Sequence, residues 1–122
     1  MTIETDVFSR LTTFPGLTAL VGTRCYPVRL PQNPILPAVS FFKVSNPRVF
    51  SHDGDSSLQH PRYQFSSWAE TYAEAWAVAE QIRLAMQGEW GAGIGIYRNA
   101  VDLFDTEAEW YHIPVDIEIW HY

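Results

Sequence analysis

Apolar side chains recur along this chain in two rhythms, one helical and one alternating. Val7, Leu11 and Phe14 fall on one face of a helix expected from Thr2 onward. Glu4 and Asp6 sit in its first turn, where the positive end of the helix dipole favours carboxylates. Pro15-Gly16 is expected to end that helix, and Leu17, Leu20 and Val21 give an apolar side to a second short one that Gly22 stops. The clearest helical signal follows Glu70. Thr71 and Glu74 have the spacing of a capping box, and Tyr72, Ala75, Trp76, Ala79, Ile82 and Met86 line one face before Gly88. Ala73, Ala75, Ala77 and Ala79 are small enough to let this helix approach a sheet closely.

The alternating rhythm is cleanest near Tyr122, where Ile113, Val115, Ile117 and Ile119 interleave with Pro114, Asp116, Glu118 and Trp120 and predict a half-buried strand. Ile96 to Phe104 reads as another strand, entered flexibly through Gly91, Gly93 and Gly95. Ala38–Ser45 and Arg62–Trp68 are rich in β-formers and should pair as an antiparallel hairpin. Cys25, Tyr26 and Val28 predict a brief strand, after which prolines at 31, 34 and 37 make an ordered crossing loop.

Between the two hairpin strands, residues 46–61 contain Asn46-Pro47, Asp53-Gly54-Asp55 and Ser56-Ser57, all turn formers. A simple hairpin loop is shorter, so either the strands extend into a protruding arm or the loop has a function of its own. The expected fold is a single α+β domain over residues 1–122. It has an antiparallel sheet of about four main strands with a long helix packed on one face, an N-terminal helix and a protruding hairpin arm.

Composition changes this picture in one direction. Aromatic residues make up 15% of the chain and charged residues only 18%, which suggests more large apolar surface than a small monomer buries. A net charge of −6, with Lys43 and seven scattered arginines as the only fixed cations, argues against binding a nucleic-acid backbone. A single cysteine, Cys25, excludes an internal disulfide and fits a reducing compartment. The first ten residues lack the basic and apolar regions of a signal peptide, and no run is long enough for a membrane helix.

Reactive constellations do not emerge. Cys25 has no motif around it and no Gly-x-Ser-x-Gly elbow occurs. His52, His60, His112 and His121 lack metal-site spacing, and Asp53-Gly54-Asp55 lacks the remaining ligands of a calcium loop. Asp116 and Glu118 share a strand face in the manner of a solvated outer surface. No catalytic residue, metal or cofactor is expected.

The order of elements carries more. Leu17-x-x-Leu20-Val21-Gly22-x-Arg24-x-Tyr26-Pro27, Leu36-Pro37, Phe65-Ser-Ser-Trp68-Ala69, Tyr72-Ala-Glu-Ala75 and Ile117-Glu-Ile119-Trp120 together resemble the tail completion family of tailed bacteriophages, the gp17-like group, over nearly the whole chain. The resemblance implies a virion subunit, assembled in the host cytoplasm, that forms a ring, typically a hexamer, at the head-proximal end of a tail tube. Such a ring ends tail polymerisation and joins the tail to the head connector. Its partners would be its own copies, the tail tube protein and the connector proteins, with DNA passing through the lumen without specific binding and no membrane involved. No catalytic residues come with the resemblance.

A ring interface is heterologous and needs two different complementary patches on each subunit. The 46–61 segment is the candidate for one, through Phe50, His52, Asp53, Asp55, Leu58 and His60. A head completion or adaptor protein of the head–tail interface is the alternative within the same class. A small-ligand or regulatory module, with an aromatic pocket of Trp68, Trp76 and Trp90, is the alternative outside it.

Overall fold

The computed structural model of the protein describes residues 3–45, 48–51, 54–91 and 93–122, with backbone alone for 48–51 and 54–57. The chain opens with α1 (Ile3–Thr13) and α2 (Pro15–Val21) and continues into β1 (Cys25–Pro27), β2 (Ala38–Ser45), β3 (Arg48–Ser51), β4 (Gly54–Gln59) and β5 (Arg62–Ala69). Then come α3 (Tyr72–Met86), β6 (Gly88–Trp90), β7 (Gly93–Ala100), β8 (Leu103–Asp105) and β9 (Trp110–His121). Among the described residues the strands form one nine-stranded sheet, larger than the four main strands expected. It is antiparallel except at one edge, where β1 runs parallel to β2.

β9 is the centre of the sheet. On one side it pairs with β5 from Arg62↔Glu118 to Ala69↔Tyr111, and Gln59↔His121 keeps the same register, so β4 and β5 are one strand line bent at His60-Pro61. On its other side it pairs with β7, and after a bulge between Tyr97 and Asn99 the register of Asn99↔Asp116 continues in Leu103↔His112. The expected strand from Ile96 to Phe104 is therefore two pieces. Val101 and Asp102 lie between them, with the Val101 amide donating to the Pro114 carbonyl at 3.2 Å.

The helices cover one face, called inner here. Ile113, Val115, Ile117 and Ile119 all point inward and are 3% exposed or less, as their alternation requires. Val39, Phe41, Tyr63 and Phe65 join them from β2 and β5, with Phe65 stacked between Phe41 at 6.1 Å and Tyr63 at 6.0 Å. Each of these large side chains contributes about 1.5–3 kcal/mol by leaving water. From the helices come Val7, Leu11, Leu17, Val21, Ala75, Val78, Ile82, Ala85 and Met86, all in one core cluster. One polar side chain ties α3 to the sheet and another ties it to α1. The Ser67 hydroxyl donates to the Ala75 carbonyl at 3.0 Å, and the Arg10 guanidinium donates to the Ala85 carbonyl at 2.8 Å.

Helix boundaries follow local chemistry with two corrections, to Pro15 and to the rotation of α3. Pro15 does not simply end α1; it sits in the first turn of α2, where its missing N–H costs nothing. The Thr71 hydroxyl caps α3 by accepting from the Glu74 amide at 3.2 Å. The buried stripe of α3 is Ala75, Val78, Ala79, Ile82, Ala85 and Met86, rotated from the expected face, so that Tyr72 and Trp76 stand in solvent. The small alanines at 75 and 79 set the close approach to β5 and β9, while Trp76 is 56% exposed.

The glycine-rich segment after α3 is a hairpin and not a loose strand entry. Gly88, at φ +90°, turns the chain out of the helix, and Gly88↔Gly95 and Trp90↔Gly93 register β6 against β7. Gly95 is needed for a different reason: a Cβ there would overlap the Met86 carbonyl, the group to which the Trp90 indole N–H donates at 2.7 Å.

Candidate functional site

The 46–61 segment, expected either as a protruding arm or as a loop with a function of its own, is mostly strand. β3 and β4 pair antiparallel, with Arg48↔Gln59, Phe50↔Asp55 and Ser51↔Gly54, and prolong β2 and β5 as a two-stranded arm beyond the body of the sheet. The turn formers drew attention to a loop, yet only the stretch between Ser51 and Gly54 separates the strands. Phe50 and Asp55 thus face each other across the arm, whereas His52 and Asp53 lie outside the described residues.

Leu58 and His60 sit at the arm's root. Leu58 lines a groove of about 840 Å³ with Trp90, Ile94, Ile96, Trp120 and Tyr122. His60 occupies the bend between β4 and β5, and the Pro61 carbonyl after it accepts from the Ile119 amide at 2.9 Å. The His60 ring lies on Trp120 with centroids 4.3 Å apart, and its Nδ1 is 3.7 Å from Glu118 Oε2, longer than a hydrogen bond.

Glu118 is the hub that sequence reasoning missed. Its place on the outer face follows from the alternation, but its side chain is only 14% exposed, far from the wet carboxylate expected. Its Oε1 accepts from Arg98 at 2.8 Å and from the Trp120 indole at 2.7 Å. Burial pushes its pKa up, but these two hydrogen bonds and the charges of Arg98 and His60 outweigh that and hold it below the usual carboxylate range. An acid two residues before a tryptophan on one strand face is the only sequence signal that pointed to this cluster.

The tryptophans of a presumed aromatic pocket are dispersed. Trp68 lies on the outer face, stacked on His112 at 3.9 Å and edge-on to Trp110 at 6.3 Å. Trp90 is buried beside Met86, and Trp76 projects from α3. Among the described residues no group of three or more His, Cys, Asp or Glu is placed to hold a metal ion. Cys25 is 3% exposed, and burial, opposed in part by Arg24, pushes its pKa to about 11, so it is a packed thiol.

No curated protein matches the sequence. The fold is shared with a chain from the virion of a native gene transfer agent (GTA) particle, at 19% identity and a TM-score of 0.70, covering 98% of this chain and 93% of that one. The family model for tail completion protein gp17 matches residues 5–122. The chain therefore belongs to the tail completion protein gp17 family and is a structural tail protein of a bacteriophage-type virion.

Proposed function

We propose that the protein is a tail terminator: a ring of identical subunits, typically six in the family it resembles, that caps the head-proximal end of the tail tube and joins it to the head connector. It acts as a single domain, without catalysis or cofactor, in a virion assembled in the host cytoplasm. The observation that carries this reading is the β3–β4 arm. A two-stranded ribbon is marginally stable alone in water, and among the described residues this one joins the body's ladder at its root, at Gln59↔His121. A ribbon of that kind suits a partner that completes it, either the neighbouring subunit or the connector.

Deleting residues 50–58 tests the reading. The shortened chain should keep a folded body, since the core cluster lies outside the arm, while losing ring formation or head joining in a complementation assay. Full ring formation together with full head joining would remove the arm from the function. Labelled protein found in the capsid portal region and absent from the tail end would favour a head completion or adaptor role instead.

A further inference from the structure

Two stretches of strand edge are left open at the same level on opposite sides of the sheet. β1 ends at Pro27, whose Cα partner is Phe41, so β2 from Phe42 to Ser45 has no neighbour on that side among the described residues. Backbone groups of Val39 and Phe41 bond toward β1, and the alternation turns those of Lys43 to the open side. On the far side β6 pairs only as far as Gly95, so β7 from Ile96 to Ala100 has no outer neighbour among the described residues. The register connects the two edges directly. Lys43, Tyr63, Ile117 and Tyr97 form one row across the sheet, and Ser45, Arg62, Glu118 and Ile96 form the next.

We infer that these two edges are the two halves of the contact between neighbouring copies: β2 of one copy pairs antiparallel with β7 of the next, continuing the sheet from subunit to subunit. The inference rests on the ring reading above and supplies its interface. Two observations fit a second copy of this chain as the occupant. Direction fits, because β2 runs parallel to β9 while β7 runs against it, so a rotated copy presents an antiparallel strand at the same height. Faces fit as well. Exposed Phe42 and Val44 border one edge and exposed Ile94 and Ile96 the other; on the inner side, Tyr97 and Trp76 meet a groove of about 660 Å³ walled by Phe8 and floored by Phe41 and Tyr63.

Each edge also carries a device that limits indiscriminate pairing, Lys43 on β2 and the Tyr97–Asn99 bulge on β7. The open stretches are short, so pairing stops after a few residues and favours a specific partner over aggregation.

Paired cysteines test it. Ser45→Cys with Ile96→Cys, in the full chain under mild oxidation, should give a ladder of covalent multimers on non-reducing gels up to the mass measured by light scattering. Either single variant should give dimers at most, and buried Cys25 should not contribute. A multimer by light scattering that fails to cross-link would overturn the edge pairing and leave the ring reading standing. A parent protein that stays monomeric at every concentration would overturn both. Hydrogen exchange on the unmodified chain is the second measurement: the Lys43 amide should gain about tenfold or more protection on assembly, and no gain would refute the pairing.

Discussion

His60 lies flat on Trp120, the two rings 13° from parallel, at the point where the arm leaves the body. Trp120 also donates its indole N–H to Glu118, so one side chain braces both the bend and the carboxylate beside it. Trp120→Ala should lower stability by about 1–2 kcal/mol, the sum of a stacked pair and a hydrogen bond to a charged group. The sheet should persist, because Ile117 and Ile119 pack on the opposite face. Urea denaturation reads the first effect, and faster amide exchange in β4 reads the loosened root; unchanged exchange there would show that the stack does not hold the arm.

Gly95→Ala should be far more damaging than its size suggests. The added methyl meets backbone, the Met86 carbonyl, which cannot swing aside as a side chain would. A loss of about 2–3 kcal/mol is expected, with Tm lower by roughly 10 °C. Gly88→Ala differs in kind: nothing stands near its Cβ, and the penalty there comes from φ +90° alone, about 1 kcal/mol.

Trp76→Ala should change the stability of the isolated subunit by less than about 0.5 kcal/mol, because the indole already stands in solvent. The same substitution should weaken association if α3 borders the subunit contact. Thermal melting and sedimentation separate the two effects, and a large drop in Tm would mean that Trp76 is packed.

Alkaline pH should destabilise the fold. Burial raises the pKa of Cys25 to about 11, and burial, with the nearby charge of Glu4, raises that of Tyr63. A group whose folded pKa is raised contributes its stability fully below its unfolded pKa and loses it as pH climbs toward the folded value. Denaturant midpoints should therefore fall between about pH 9 and 11. Cys25 should resist iodoacetamide at pH 8 in the native protein and react fully in denaturant; Cys25→Ser should remove part of the alkaline loss.

In an assembled ring surrounding the DNA path, Asp and Glu should outnumber Arg and Lys on the lumen surface, so that DNA slides without adhering. A ring structure with a net basic lumen would refute this, as would tight double-stranded DNA binding at physiological salt.

How far the sequence foretold all this depends on which force shaped each element. β9 was legible because Ile113, Val115, Ile117 and Ile119 obey one rule, burial on a single face. α3 was legible in position and misjudged in rotation: Tyr72 and Trp76 are as apolar as Val78 and Ala85, and only tertiary packing decides which of them goes inward. The β3–β4 arm was legible from its length alone, because Gly54-Asp55-Ser56-Ser57 has little preference for strand; the register inherited from β2 and β5 imposes it. The β6–β7 hairpin was hidden by its glycines. Of the candidate residues, the unusual length between two strand signals located the arm, but the Glu118 cluster depends on side chains from β7, β9 and the arm bend meeting in space.

β9 has a further consequence for how the subunit folds. It follows in the chain every strand with which it pairs, so while a ribosome is still producing the earlier part, β5 and β7 lack the strand that belongs between them. A half-made subunit has no continuous sheet to offer a neighbour. Placing the keystone strand late means that the two open edges come to lie in one continuous sheet only once β9 has been made and the body has closed.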